Sequence, residues 1–135
     1  MPVGGDILEV SWNHPKLGSG KFNPKAAEDS VLDVGGFVSS DDANMIDGGG
    51  NMIDQINQKR WRLECTAAID TNIDLTLGKL QALQKDPQQA TWTISHINGS
   101  VYSGKGKPVG DLAGNWNQST CKVVLAGGKA LKKIV

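Results

Sequence analysis

Lys59 to Asp70 reads KRWRLECTAAID, and its alternation decides the fold class. Trp61, Leu63, Cys65, Ala67 and Ile69 fall on one face, and Arg60, Arg62, Glu64, Thr66 and Asp70 on the other. A period of two sends successive side chains to opposite sides of an extended chain, so the segment is a strand with one buried and one wet face. Upstream, Leu8, Val10 and Trp12 alternate with Glu9, Ser11 and Asn13. His14-Pro15 and Gly18-Ser19-Gly20 mark a turn. Phe22 to Ala26 reads as a short edge segment, because Pro24 has no N–H for a ladder. Ser30 to Ser39 reads as another strand, whose Gly35-Gly36 predicts a bulge or a close backbone contact.

Downstream, Thr71 to Lys85 is the one segment with helical spacing. Leu77, Leu80 and Leu83 form a narrow stripe, Asn72 or Asp74 is a candidate N-cap, and Asp86-Pro87 ends the run. Trp92, Ile94 and His96 alternate with Thr91, Thr93 and Ser95, and Asn98-Gly99 predicts a hairpin back through Val101 and Tyr102. Asn115 to Ala126 is the last strand, with Cys121, Val123 and Leu125 on one side, and Gly127-Gly128 turns into a short basic end. Strands, one helix, then strands, without β-α-β alternation, predict a mainly β antiparallel sandwich or partial barrel with one flanking helix in a single domain over 1–135.

Composition narrows the function classes. Fourteen basic and fourteen acidic side chains leave a formal net charge of +0, without the basic excess of a DNA-coating protein. Weak net repulsion favours self-association. The glycines, 17 in all, cluster as turn punctuation and form no repeat. Cys65 and Cys121 have no metal spacing and read as buried free thiols. Met1 to Asp6 lacks the features of a signal peptide, and no apolar run is long enough to span a bilayer, so a cytoplasmic, non-membrane protein is expected.

His14 and His96, the two histidines, have no partner motif, and no nucleophile elbow or zinc spacing occurs. Asp41, Asp42, Asn44 and Asp47 suggest a calcium loop, but from Asp42 the fifth position is Ile46 and the sixth Asp47, so the register fails. Gly104 to Gly110 (GKGKPVG) lacks the phosphate-loop spacing and reads as a flexible basic arm. No enzyme, metal or cofactor is expected. Trp116, between two asparagines, is a candidate subunit contact.

About 39–57 is the oddest stretch. Asn44-Met45-Ile46-Asp47 and Asn51-Met52-Ile53-Asp54 are copies separated by Gly48, Gly49 and Gly50. A solvated loop has no need of Met45, Ile46, Met52, Ile53 and Ile56, whereas a projecting segment that orders against a partner does. Asp41, Asp42 and Asn44 would add polar contacts to such a loop.

Phe22-Asn23-Pro24-Lys25 with Asp33-Val34-Gly35-Gly36, the stretch from Ser39 to Asn57, and Trp92 to Gly114 together resemble tail tube proteins of tailed bacteriophages, chiefly of the contractile type. The resemblance implies a virion structural protein, assembled in the host cytoplasm. Six copies would close into rings that stack into the tube through which double-stranded DNA is ejected, without specific binding. Sheath, baseplate and tail terminator proteins are the implied partners. On this resemblance, the polar faces of the Lys59–Asp70 and Ala90–Ile97 strands are expected to line the lumen through Arg62, Glu64, Thr66, Thr93 and Ser95. The loop's apolar residues are expected to dock on a neighbour. A related secretion or injection tube subunit, and a monomeric ligand-binding β-sandwich, are the alternatives.

Overall fold

The computed structural model of the chain describes residues 4–39, 45–54, 56–68 and 76–134. Six strands close into an antiparallel barrel. They are β1 (Ile7–His14), β2 (Gly18–Pro24), β8 (Arg62–Ala68), β9 (Ala90–His96), β10 (Val101–Val109) and β12 (Thr120–Gly127). Their order is β12-β10-β9-β1-β2-β8, and β8 returns to β12 from Thr120↔Ala68 to Ala126↔Arg62. Short strands complete the fold: β3 (Val31–Asp33) beside β8, β11 (Gly114–Asn115) beside β12, and β13 (Lys132–Lys133) beside β10. Closure pairs both edges of the sheet, which a partial barrel would have left open.

The alternation read from the sequence sets what is inside. Val10, Trp12, Phe22, Leu63, Cys65, Ala67, Trp92, Ile94, Val123 and Leu125 form one buried cluster. Trp12 and Trp92 face each other across β1 and β9, with ring centroids 5.7 Å apart. Leu8 departs from its expected place. A register irregularity between Ile7 and Glu9 turns Ile7 inward and leaves Leu8 49% exposed. The expected edge segment also changes role. Its strand starts at Gly18, not Phe22, and lies within the barrel, with Pro24 at its last position, paired to β8.

Helix α1 (Thr76–Lys85) packs Leu80 and Leu83 into the cluster, with Leu77 partly buried. Each fully buried leucine contributes roughly 1.5–3 kcal/mol. Gln81 Nε2 donates to the Leu112 carbonyl at 3.0 Å, and Gln84 Nε2 donates to that of Gly110, so the helix is tied to the chain just beyond β10. The candidate caps, Asn72 and Asp74, lie outside the described residues.

Gly104 to Gly110 is no flexible arm. Through Val109 it is β10, paired with both β9 and β12. Trp61, fully buried just ahead of β8, explains its glycines. The indole Nε1 donates to the Lys105 carbonyl at 3.0 Å. A Cβ on Gly106 would sit 2.7 Å from the Trp61 ring and 2.4 Å from the Ala126 carbonyl oxygen, and one on Gly127 2.2 Å from Nε1. The repeated glycine is a slot for an aromatic ring.

Candidate functional site

Within the segment expected to be a loop, the described residues form an arm of paired strands. Strands β4 (Gly36–Ser39) and β7 (Ile56–Lys59) pair at its base, and β5 (Met45–Ile46) and β6 (Met52–Ile53) at its tip. Both pairs stand as sheets of their own, apart from the barrel. The duplication explains the tip: the copies pair with each other, Met45↔Ile53 and Ile46↔Met52. Asp47 closes the turn. Its N–H donates to the Asn51 carbonyl at 2.8 Å, and the Gly50 N–H donates back to the Asp47 carbonyl at 3.0 Å. Asp47 Oδ1 accepts from the backbone N–H groups of Gly49 and Asn51, both at 2.9 Å, which hold its carboxyl below the usual range, Asn51 foremost. Gly50, at φ +85°, takes the left-handed position of a three-residue hairpin turn. The calcium-loop candidate Asp47 is thus a turn cap; Asp41, Asp42 and Asn44 lie outside the described residues.

The arm carries apolar groups on both faces. Directly opposed residues share a face of a ribbon and successive ones alternate, so Met45 with Ile53 and Ile46 with Met52 point to opposite sides. All four are exposed, Ile46 at 72% and Met52 at 67%. Ile56, Val38 and Phe37, the last at 73%, extend the apolar character toward the base.

The sequence reading missed the root of the arm. The expected strand from Ser30 to Ser39 breaks after Asp33. Gly35, at φ +74°, lies where a Cβ would be 2.7 Å from both the Lys59 carbonyl oxygen and the Trp61 nitrogen. Only glycine lets the two chains approach so closely there. Asp33 bridges the break: Oδ1 accepts from the Gly35 N–H at 3.0 Å and Oδ2 pairs with Lys59 Nζ at 2.6 Å. Lys59, and then the Gly35 N–H, hold the Asp33 carboxyl below its usual range. Gly35-Gly36 was the available signal: of the two readings it offered, a bulge or a close backbone contact, the close contact is the one found.

The residues expected to line a common channel separate into two groups. Arg62, Glu64 and Thr66 lie on the outer face of β8, and Thr93 and Ser95 on that of β9. The apolar face of this segment, with Trp61, Leu63 and Cys65, is buried in the barrel. Yet β8 and β9 are three strands apart in either direction around a ring of six, so one copy cannot turn both faces to a single axis. On the β8 side charges are paired: Glu64 with Lys122 at 2.8 Å and Arg62 at 3.9 Å. Lys122, then Arg62, holds the Glu64 carboxyl below its usual range. The β9 side carries short hydroxyls, Ser11, Thr93 and Ser103 in one row, with Glu9 and Lys105 in the rows beside it.

The His14 ring is buried at the β1–β2 turn, where Nδ1 accepts from the N–H groups of Lys16 and Leu17 at 3.0 Å each and Nε2 faces the Gln88 carbonyl at 3.2 Å. His96 Nε2 bonds the Gly5 carbonyl at 3.0 Å. Cys65 and Cys121 are free and buried. Burial, with Cys121 nearby, pushes the Cys65 thiol up to about 12. Trp116 is 62% exposed on the turn between β11 and β12. Among the described residues no cluster of three or more His, Cys, Asp or Glu could hold a metal ion, and no helix is long and apolar enough to cross a membrane. No protein-family model matches this sequence, and no curated protein matches it.

Proposed function

We propose that this chain is a tube subunit that acts by assembling with copies of itself: closed rings, of six on the likeness to phage tail tubes, stacked into a conduit for DNA. The observation that carries the reading is the arm. A two-stranded ribbon with methionine, isoleucine and phenylalanine exposed on both faces is costly to leave in water. Its apolar groups suit a surface on another copy. A closed barrel with polar outer faces supports the reading, since barrels can stand side by side around a water-filled lumen without exposing their cores.

On this reading the partners are neighbouring copies first, then the sheath, baseplate and terminator proteins of a contractile tail. DNA passes through without a specific site. The same subunit in a secretion or injection tube would build similar rings, and the genes flanking its own distinguish the two settings. Electron microscopy of concentrated protein tests the core of the proposal. Rings or tubes with a central hole are the expected result. A monodisperse monomer across concentration and salt would overturn it and favour a ligand-binding β-sandwich.

A further inference from the structure

We infer that the outer face of the β2-β1-β9-β10 sheet is the wall turned to the transported nucleic acid, and that the β8 face points away from it. The inference rests on the tube reading and chooses between two faces that one copy cannot present together.

The β9 side is broad and continuous. Four barrel strands lie side by side, and β13 extends them. Their registers align one row straight across the sheet: Lys21↔Ser11↔Thr93↔Ser103↔Lys132. Three short hydroxyl side chains form its centre, and the lysines stand at its two margins. Short hydroxyls offer exchangeable hydrogen bonds to phosphate or its water shell and project too little to obstruct a moving duplex. Beside this row Lys105 stands opposite Thr91 and Glu9 opposite Ser95, so the face attracts a polyanion through a few lysines without becoming a continuous basic surface that would hold it.

The β8 side has the opposite character. Strand β3 pairs along it through Val31↔Glu64 and Asp33↔Arg62. A groove lined by Val31, Asp33, Lys59, Arg60, Arg62 and Glu64 marks where the arm is rooted. Most charges there are taken up in ion pairs within the chain. An arm that reaches a neighbouring copy leaves from this side, away from the hydroxyl sheet.

Single-cysteine labelling of assembled tubes tests the assignment. Thr93→Cys and, as a second probe, Ser103→Cys are compared with Thr66→Cys on β8. Cys65 and Cys121 are buried and supply a silent background. Each variant is treated with a small maleimide and with a maleimide on a dextran too large to enter the bore. The expected result is that Thr93→Cys and Ser103→Cys react with both reagents as free subunits but only with the small one in tubes. Thr66→Cys in tubes should remain beyond the distinction, either reactive with both or protected from both at a subunit contact. Dextran labelling of Thr93→Cys and Ser103→Cys in tubes at the free-subunit rate would put the sheet outside. Their protection from both reagents would make it a subunit contact. Either outcome overturns the inference while tubes still form. Failure of the unmodified protein to form tubes overturns the functional reading itself, and this inference with it.

Discussion

At Trp61, an indole lies against glycines on two strands, and its one polar atom reaches a strand carbonyl. Such a fit is sensitive from both sides. Trp61→Ala removes a fully buried ring and should destabilise the subunit by about 3–5 kcal/mol. Gly106→Ala adds a methyl where the Ala126 carbonyl and the indole already touch, and should cost about 1–3 kcal/mol. Urea unfolding followed by tryptophan fluorescence measures both, and a neutral Gly106→Ala would show that the slot is loose. The thiols make a second case at this scale. With Cys65 pushed up to about 12 and Cys121 raised by burial, both stay protonated in the folded chain where an unfolded thiol, with pKa about 8.5, ionises. The folded state then binds more protons, so stability falls as pH rises above the unfolded value. Native protein should be inert to a chromogenic disulfide at mildly alkaline pH and should release two equivalents once unfolded in urea. Rapid reaction of the native protein would contradict the burial.

The arm is where sequence and structure diverge most. Glycines between duplicated apolar segments were legible as a reversal, but not as a paired ribbon. Two-residue strands have too little pattern to identify, and their pairing depends on the register set by Asp47. Replacing Met45, Ile46, Met52 and Ile53 together by serine should leave far-UV circular dichroism intact, since all four are exposed, and should abolish tube formation. Normal tubes from that variant would remove the arm from the assembly. Its root makes a separate prediction. The lowered Asp33 carboxyl gives a folded state that binds fewer protons than the unfolded one. Its contribution is therefore present above the unfolded value, about 3.9, and is lost as pH falls through the folded value. Asp33→Asn at neutral pH should thus reproduce what acid does to the wild type, with increased mobility of residues 45–54 in nuclear magnetic relaxation and little change in the barrel. Equal arm mobility in both proteins would show that Gly35 alone sets the geometry. Asp33 is exposed and ion-paired, so the expected effect is on arm order more than on global stability.

At the scale of the whole molecule, zero formal charge and an apolar arm predict that assembly is carried by buried apolar surface. Raising salt from about 0.05 to 0.5 M screens exposed ion pairs and should leave the sedimenting fraction of tubes unchanged or larger. Dissolution on adding salt would assign the contacts to charge instead. The sequence by itself determined which faces are buried, because alternation is a local property: the inner residues of β8, β9 and β12 follow from period two alone, as does the single leucine stripe of α1. It could not determine closure. Whether β8 finds β12 and β2 depends on pairings between segments more than forty residues apart and on strand tilt, neither written in any one segment. For the same reason it left Arg62, Glu64 and Thr66 in one group with Thr93 and Ser95. Each strand has a wet face, but only the order of strands around the barrel decides that those faces look in opposite directions. Leu8, turned out by an irregular register, and Gly106, kept bare by a tryptophan forty-five positions earlier, have the same cause: tertiary packing chose among conformations that the local sequence leaves equally open.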